Sequence, residues 1–151
     1  MLLADEKRAA TAGTRKGTTS RPGSGDAGAS GVRLFIVDDC RHTLRILSRL
    51  LRGMGYEVTT ADGFSSALAA AGGRTFDLLI SDIELKDGSG IDLLRALSAT
   101  EPVRAIALSG HLSREDIRRS RDAGFIEHVA KPVQFQKLHE IIARVTGTSA
   151  T

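Results

Sequence analysis

The chain has 151 residues, 41% of them hydrophobic, and a formal net charge of +3, a length that suits one domain with residues to spare for a tail. Aromatics make up only 4%, so the core must be built from Leu, Ile, Val and Ala, which suits helices packed on a parallel sheet. The single cysteine, Cys40, excludes an internal disulfide and fits a reducing compartment. No apolar run approaches the roughly 18 residues of a membrane span. The start, Met1-Leu2-Leu3-Ala4-Asp5-Glu6, turns acidic where a secretory signal should be most apolar, so a cytoplasmic protein is expected. Residues 1–30 carry five basic side chains against three acidic ones, which leaves sixteen against fifteen in the remainder. Much of the basicity therefore belongs to the tail, and a polyanion-binding face for direct DNA binding is not expected.

From Thr11 to Gly31 the sequence is dominated by Gly, Ser, Thr, Ala, Arg and Pro with almost nothing apolar, the composition of a disordered arm. Expected boundaries are an arm over 1–31, a domain over 32–146 and a flexible tail over 147–151. Within the domain, β-type runs alternate with helical patterns. Leu34 to Val37 is a first strand. Leu44, Leu47, Leu51 and Met54 recur at three- and four-residue intervals and mark a helix that Gly53 and Gly55 end. Tyr56 to Ala61 is a weaker second strand, and Phe64 to Ala71 a short Ala-rich helix closed by Gly72-Gly73.

Phe76 to Ser81 is the third strand. The loop Asp87-Gly88-Ser89-Gly90 lacks the Gly-Lys-Ser/Thr ending of a phosphate loop and reads as a turn before a helix with Ile91, Leu94 and Leu97. Arg104 to Leu108 is the fourth strand. Ser113 opens a charged helix with Glu115 and Asp116 in its first turn, favourable to the helix dipole. Phe125 to Ala130 is the fifth strand, and Val133 to Val145 a last helix. Five βα units imply a parallel sheet with helices on both faces.

Four apolar runs each stop on a polar residue: Asp38-Asp39, Asp82, Ser109 and Lys131. In parallel strands of one sheet these ends share an edge, where open α/β sheets place their ligand sites. Crowded carboxylates repel one another, and a raised pKa or a bound cation relieves them. All-oxygen donors of this kind suit Mg²⁺, which can clamp a phosphoryl oxygen. Lys131 adds a second positive charge and Ser109 a hydroxyl, a cradle around a carboxylate able to act as a nucleophile.

The ordered set Asp38-Asp39, Asp82, Ser109 and Lys131-Pro132, after those strands, resembles the receiver domain of two-component response regulators from about Arg33 to Val145. The resemblance implies a doubly wound, flavodoxin-like α/β (βα)5 fold with sheet order 2-1-3-4-5. It implies Asp82 as the phosphoryl acceptor from a phosphohistidine, and Mg²⁺ held by Asp39, by Asp38 through water, by Asp82 and by the main-chain carbonyl of Glu84. Lys131 and Ser109 would bind phosphoryl oxygens, Ser109 moving as part of the switch, and the Lys131–Pro132 bond would be cis. The switch position three residues before the lysine, often Tyr or Phe, is His128, whose titration would make the switch sensitive to protonation. Glu84 and His111, each two residues beyond a site residue, border the path of the hydrolytic water and are expected to tune the lifetime of the phosphorylated state.

The implied partners are a histidine kinase, a histidine phosphotransfer protein, or both. The segments 108–111 and 123–133 resemble receivers attached to hybrid histidine kinases. With about thirty residues before the domain and twenty after Lys131, output is expected through protein contacts over the 113–133 face, without a DNA-binding module or membrane contact. The expected function is a phospho-accepting switch rather than a turnover enzyme. One alternative is a Mg²⁺-dependent phosphohydrolase of the haloacid dehalogenase type, although that family places its nucleophile first in an Asp-x-Asp motif and its acidic pair last. Another is an unphosphorylated receiver-like interaction module. Plainer readings make Asp38 or Asp82 a helix N-cap, Cys40 a small buried side chain, His42 and His139 solvated helix residues, and Arg114, Arg118, Arg119 and Arg121 a solvated face partnered by Glu115 and Asp116.

Overall fold

The computed structural model describes residues 31–110 and 113–147. Residues 1–30 of the expected arm, His111 and the end of the tail lie outside the described residues. Among the described residues seven strands and five helices follow one another: β1 (Arg33–Val37), α1 (Arg41–Gly53), β2 (Glu57–Ala61), α2 (Phe64–Ala71), β3 (Leu78–Asp82), β4 (Glu84–Leu85), β5 (Gly88–Ser89), α3 (Gly90–Leu97), β6 (Ala105–Ser109), α4 (Arg114–Ala123), β7 (Phe125–Ala130) and α5 (Phe135–Thr146). The main sheet runs β2-β1-β3-β6-β7, every pair parallel. Numbered as five major strands, this is the order 2-1-3-4-5. The short strands β4 and β5 form a separate antiparallel hairpin.

Burial follows topology. The inner strands β3 and β6 are buried along their whole length, as strands covered on both faces by crossover helices must be. On one face Phe35, Val37, Leu79, Ala105, Ala107 and Phe125 pack with Ala67, Ile91, Leu93 and Leu94 of α2 and α3. The alternate residues Leu34, Ile36, Leu78, Ile80, Ile106 and Leu108 are equally buried and face the other way, since successive strand side chains alternate. There α1 contributes Leu44, Leu47 and Leu51, and α5 contributes Leu138 and Ile142. No helix of the described residues is long and apolar enough to cross a membrane.

Several element ends shift from the expectation. β2 begins at Glu57, with Tyr56 buried just before it. β3 begins at Leu78 and includes Asp82, and β6 includes Ser109. Pairing with a neighbouring strand, which a hydropathy pattern does not contain, sets these limits: Leu34 pairs with Leu78, and Asp82 with Leu108. The expected turn at Asp87-Gly88-Ser89-Gly90 is the tip and second strand of the β4–β5 hairpin followed by the start of α3.

Two side chains correct the plainer readings. Cys40 is exposed, because it precedes α1 as its N-cap residue and has no helix face to turn inward. His139 is buried, stacked on Phe135 with ring centroids 5.9 Å apart and edge-on to Tyr56 at 5.7 Å. Ser113 does cap α4, its hydroxyl accepting from the Asp116 N–H at 3.1 Å.

Candidate functional site

The carboxyl ends of β1, β3, β6 and β7 place Asp38, Asp39, Asp82, Ser109 and Lys131 along one edge of the sheet. Asp38 follows β1, and its N–H donates to the Ala61 carbonyl at 3.2 Å, one step beyond the β1–β2 ladder. Its Oδ1 accepts from the Cys40 N–H at 2.8 Å, but the N-cap residue of α1 is Cys40 itself, so the plainer N-cap reading of Asp38 does not hold. Asp82 Oδ1 likewise accepts from the Glu84 N–H at 3.2 Å, and the short strand β4 rather than a helix follows it, so Asp82 is no N-cap either. Each carboxylate thus has one oxygen tied to the chain that follows and one turned to the crevice.

Lys131 fills the space between them. Its Nζ donates to Asp82 Oδ2 at 2.8 Å and lies 2.9 Å from Asp38 Oδ2, an ion-pair contact, since no aligned hydrogen bond reaches that buried oxygen. The Lys131 N–H donates to the Ser109 carbonyl at 2.9 Å, so the β6–β7 ladder places the ammonium. The Lys131–Pro132 bond is cis. Ser109 is buried at the end of β6, on the Lys131 flank.

The electrostatics are under-compensated. Asp38 is fully buried and Asp82 nearly so, at 6% exposure. Oxygen atoms of Asp38, Asp39 and Asp82 lie within 4.8 Å of one another, and among the described residues Lys131 is the one cation in ion-pair contact with these three carboxylates. Burial raises the Asp82 pKa, outweighing the hydrogen bond and charge of Lys131 that act downward. For Lys131 burial acts downward, but the hydrogen bond to Asp82 and the negative charges of Asp38 and Asp82 together prevail and raise its pKa. Three hard oxygen donors converging around an excess of negative charge fit a divalent cation of the Mg²⁺ class.

The remaining residues of the expected site divide. Glu84 is the first residue of β4, with its side chain exposed. His128 lies on β7 and faces α4, where its Nε2 contacts Ser120 Oγ. Burial, then the charge of Arg121, lowers its pKa, against the opposing pull of Glu127. His111 is outside the described residues.

Sequence reasoning missed two residues. Ser120 is buried on α4 and donates to the Ile117 carbonyl at 2.9 Å as well as meeting His128. Asp87 accepts hydrogen bonds from the Phe64 N–H at 2.6 Å and the Ser65 N–H at 3.0 Å, at the start of α2. Neither carries a local signal, because their partners lie eight and more than twenty residues away in the chain.

The chain matches the family model of the response regulator receiver domain over residues 34–143. It is 33% identical to the chemotaxis protein CheY of Pseudomonas aeruginosa over 124 residues, covering 77% of this chain and 100% of that one. It is 32% identical to the two-component response regulator ARR10 of Arabidopsis thaliana, where it spans 79% of itself and 22% of that protein. Among solved structures, a CheY-like receiver domain protein from Methanospirillum hungatei JF-1 superposes with a TM-score of 0.73 at 32% identity, covering 77% of this chain and 94% of that one. A response regulator from Burkholderia pseudomallei, solved with a phosphorylated aspartic acid, a calcium ion and citrate, superposes with a TM-score of 0.68 at 27% identity, over 76% of this chain and 66% of that one. Five parallel strands in this order, with an acidic pair, a third carboxylate, a serine and a lysine at their carboxyl ends, belong to a chain that is a member of the response regulator receiver family.

Proposed function

We propose that this receiver accepts a phosphoryl group on Asp82 from a phosphohistidine of a histidine kinase or phosphotransfer protein, and passes the signal or the group on through protein contacts. The observation that carries the reading is the crevice-facing oxygen of Asp82, 2.8 Å from Lys131 Nζ and beside Asp38 and Asp39. In the transfer, the Asp82 carboxylate attacks phosphorus, an O–P bond forms, the N–P bond of the donor breaks, and the electron pair leaves with the donor imidazole.

Asp38, Asp39, Asp82 and the Glu84 carbonyl would hold Mg²⁺, which when bound neutralises charge on the phosphoryl oxygens. Lys131 meets a phosphoryl oxygen from the other side, and its ammonium is already in place, so little reorganisation accompanies charge development. The buried Ser109 hydroxyl serves as donor to a third oxygen. The β6–α4–β7 region, including His128 and Ser120, carries the change outward over the 113–133 face. The chain acts as an acceptor that discharges slowly, not as an enzyme turning over a phosphomonoester.

Intact-mass analysis after incubation with Mg²⁺ and acetyl phosphate tests this. One phosphoryl adduct is expected on the wild type, and none without Mg²⁺ or on Asp82→Asn. No adduct on wild type from either acetyl phosphate or a phosphorylated histidine donor would overturn the proposal and favour the unphosphorylated interaction module. Turnover of p-nitrophenyl phosphate would favour the phosphohydrolase.

A further inference from the structure

The segment that follows the acceptor, Ile83 to Gly90, is a closed loop held at both base and tip. At its base the Ile83 N–H donates to the Leu108 carbonyl at 3.0 Å, and the Gly90 N–H donates to the Ile83 carbonyl at 2.7 Å. Between them stands the hairpin with Glu84 opposite Ser89 and Leu85 opposite Gly88. Two residues per strand make a ribbon too short to hold its own geometry in water. Its tip is held from outside by Asp87.

Helix α2 is preceded by Gly63, an N-cap residue with no side-chain cap to offer, so its first N–H groups need partners from elsewhere. Asp87 supplies them, both carboxylate oxygens accepting from consecutive N–H groups of Phe64 and Ser65. These two backbone donors hold the Asp87 carboxyl below its usual range, so it stays ionised. The contact is closely fitted on both sides. A Cβ on Gly63 would stand 2.9 Å from Asp87 Oδ1, and one on Gly88 2.9 Å from the Phe64 side chain.

We infer that Asp87 is a positioning residue for the phosphoryl-accepting site: by clamping the hairpin tip to the start of α2 it fixes Glu84, whose N–H holds Asp82 Oδ1 and whose carbonyl is proposed above as a metal ligand. The inference rests on the proposed function for its chemistry, but the clamp has a readout of its own.

The test uses ¹⁵N-labelled full-length protein and four forms: wild type, Asp87→Ala, Asp87→Asn, which keeps one acceptor oxygen without the charge, and Ala69→Gly. Ala69 is exposed on α2, so glycine there weakens the same helix while leaving the clamp untouched. In metal-free protein, Glu84 amide exchange is expected to speed up in Asp87→Ala, partly in Asp87→Asn, and not in Ala69→Gly. Titration with Mg²⁺ alone, followed by amide shifts, is expected to show affinity weakened about tenfold in Asp87→Ala, the lower end of what losing an outer partner of a metal ligand costs. Labelling by acetyl phosphate should slow in step.

Unchanged exchange and Mg²⁺ affinity in Asp87→Ala, or changes equally large in Ala69→Gly, would overturn the inference and leave the proposed function standing. If Asp87→Ala does not fold, Asp87→Asn decides in the same way. If the wild type takes neither Mg²⁺ nor a phosphoryl group, the proposed function fails, and metal-free exchange at Glu84 still accepts or rejects the clamp.

Discussion

Ser120 Oγ lies 2.9 Å from the Ile117 carbonyl and also meets His128 Nε2, and with one hydroxyl hydrogen to give, the tautomer of the imidazole sets which atom donates in the second contact. Protonating the imidazole places charge in a half-buried position near Arg121, and burial followed by that like charge lowers the His128 pKa. A lowered pKa in the folded chain means that the unfolded chain binds the proton first as pH falls. The His128 contribution is therefore fully present above the usual histidine pKa of about 6.5 and is lost as pH falls toward the folded value. Urea unfolding of wild type between pH 7.5 and 5.5 should lose more stability than His128→Phe, by at most about 1.4 kcal/mol per pH unit, the limit for one proton. Asp82, whose pKa is raised, has the opposite sign: its burial penalty is present at neutral pH and is relieved on acidification. The difference between the two proteins isolates the histidine. Glu84 is exposed two residues beyond Asp82. Glu84→Gln is expected to change the decay rate of the phosphorylated form severalfold, measured by loss of the mass adduct, without changing the site of phosphorylation.

At the scale of elements, close approaches that no pattern of hydropathy reveals fix the loops. A Cβ on Gly90 would lie 2.2 Å from the Asp82 carbonyl oxygen, far inside contact distance. Gly90→Ala should therefore push α3 and the acceptor loop apart, with a stability loss of about 1–3 kcal/mol by denaturant unfolding, as for other overpacked sites, and slower labelling of Asp82. The sequence reading took this glycine as part of a turn. Its actual role depends on the helix α3 starting directly against the end of β3. The same limit explains His139. On α5 it adjoins the buried Leu138 and Ile142, yet a helical pattern with one polar residue at the stripe edge does not say whether neighbours will cover it. Phe135 and Tyr56 do cover it. Ser113 was legible because its cap partner lies three residues ahead in the same helix, whereas Asp87 caps a helix that starts more than twenty residues earlier.

Across the whole molecule, the carboxylates gathered at the sheet edge beside Lys131 repel one another, and the divalent cation proposed for that edge would relieve the repulsion. Binding to the folded chain alone stabilises it by mass action, about 2.7 kcal/mol when the ligand stands at a hundred times its dissociation constant. Mg²⁺ is accordingly expected to raise the thermal midpoint of the wild type, and to raise it much less in Asp39→Asn, as read by circular dichroism.

The chain alone determined which residues could meet. Leu34 to Val37, Leu78 to Ile80, Ile106 to Leu108 and the run before Lys131 are apolar and short, and parallel strands bring their carboxyl ends to one edge whatever the details of packing. The tertiary structure decided what each residue there does. Lys131 lies between Asp38 and Asp82 because the β6–β7 ladder sets its height, His128 turns to Ser120, Cys40 stays in solvent, and Asp87 holds a distant helix. Periodicity along a chain carries local information, while these contacts join residues far apart in sequence, and their energies exist only once the sheet has brought the partners within hydrogen-bond reach.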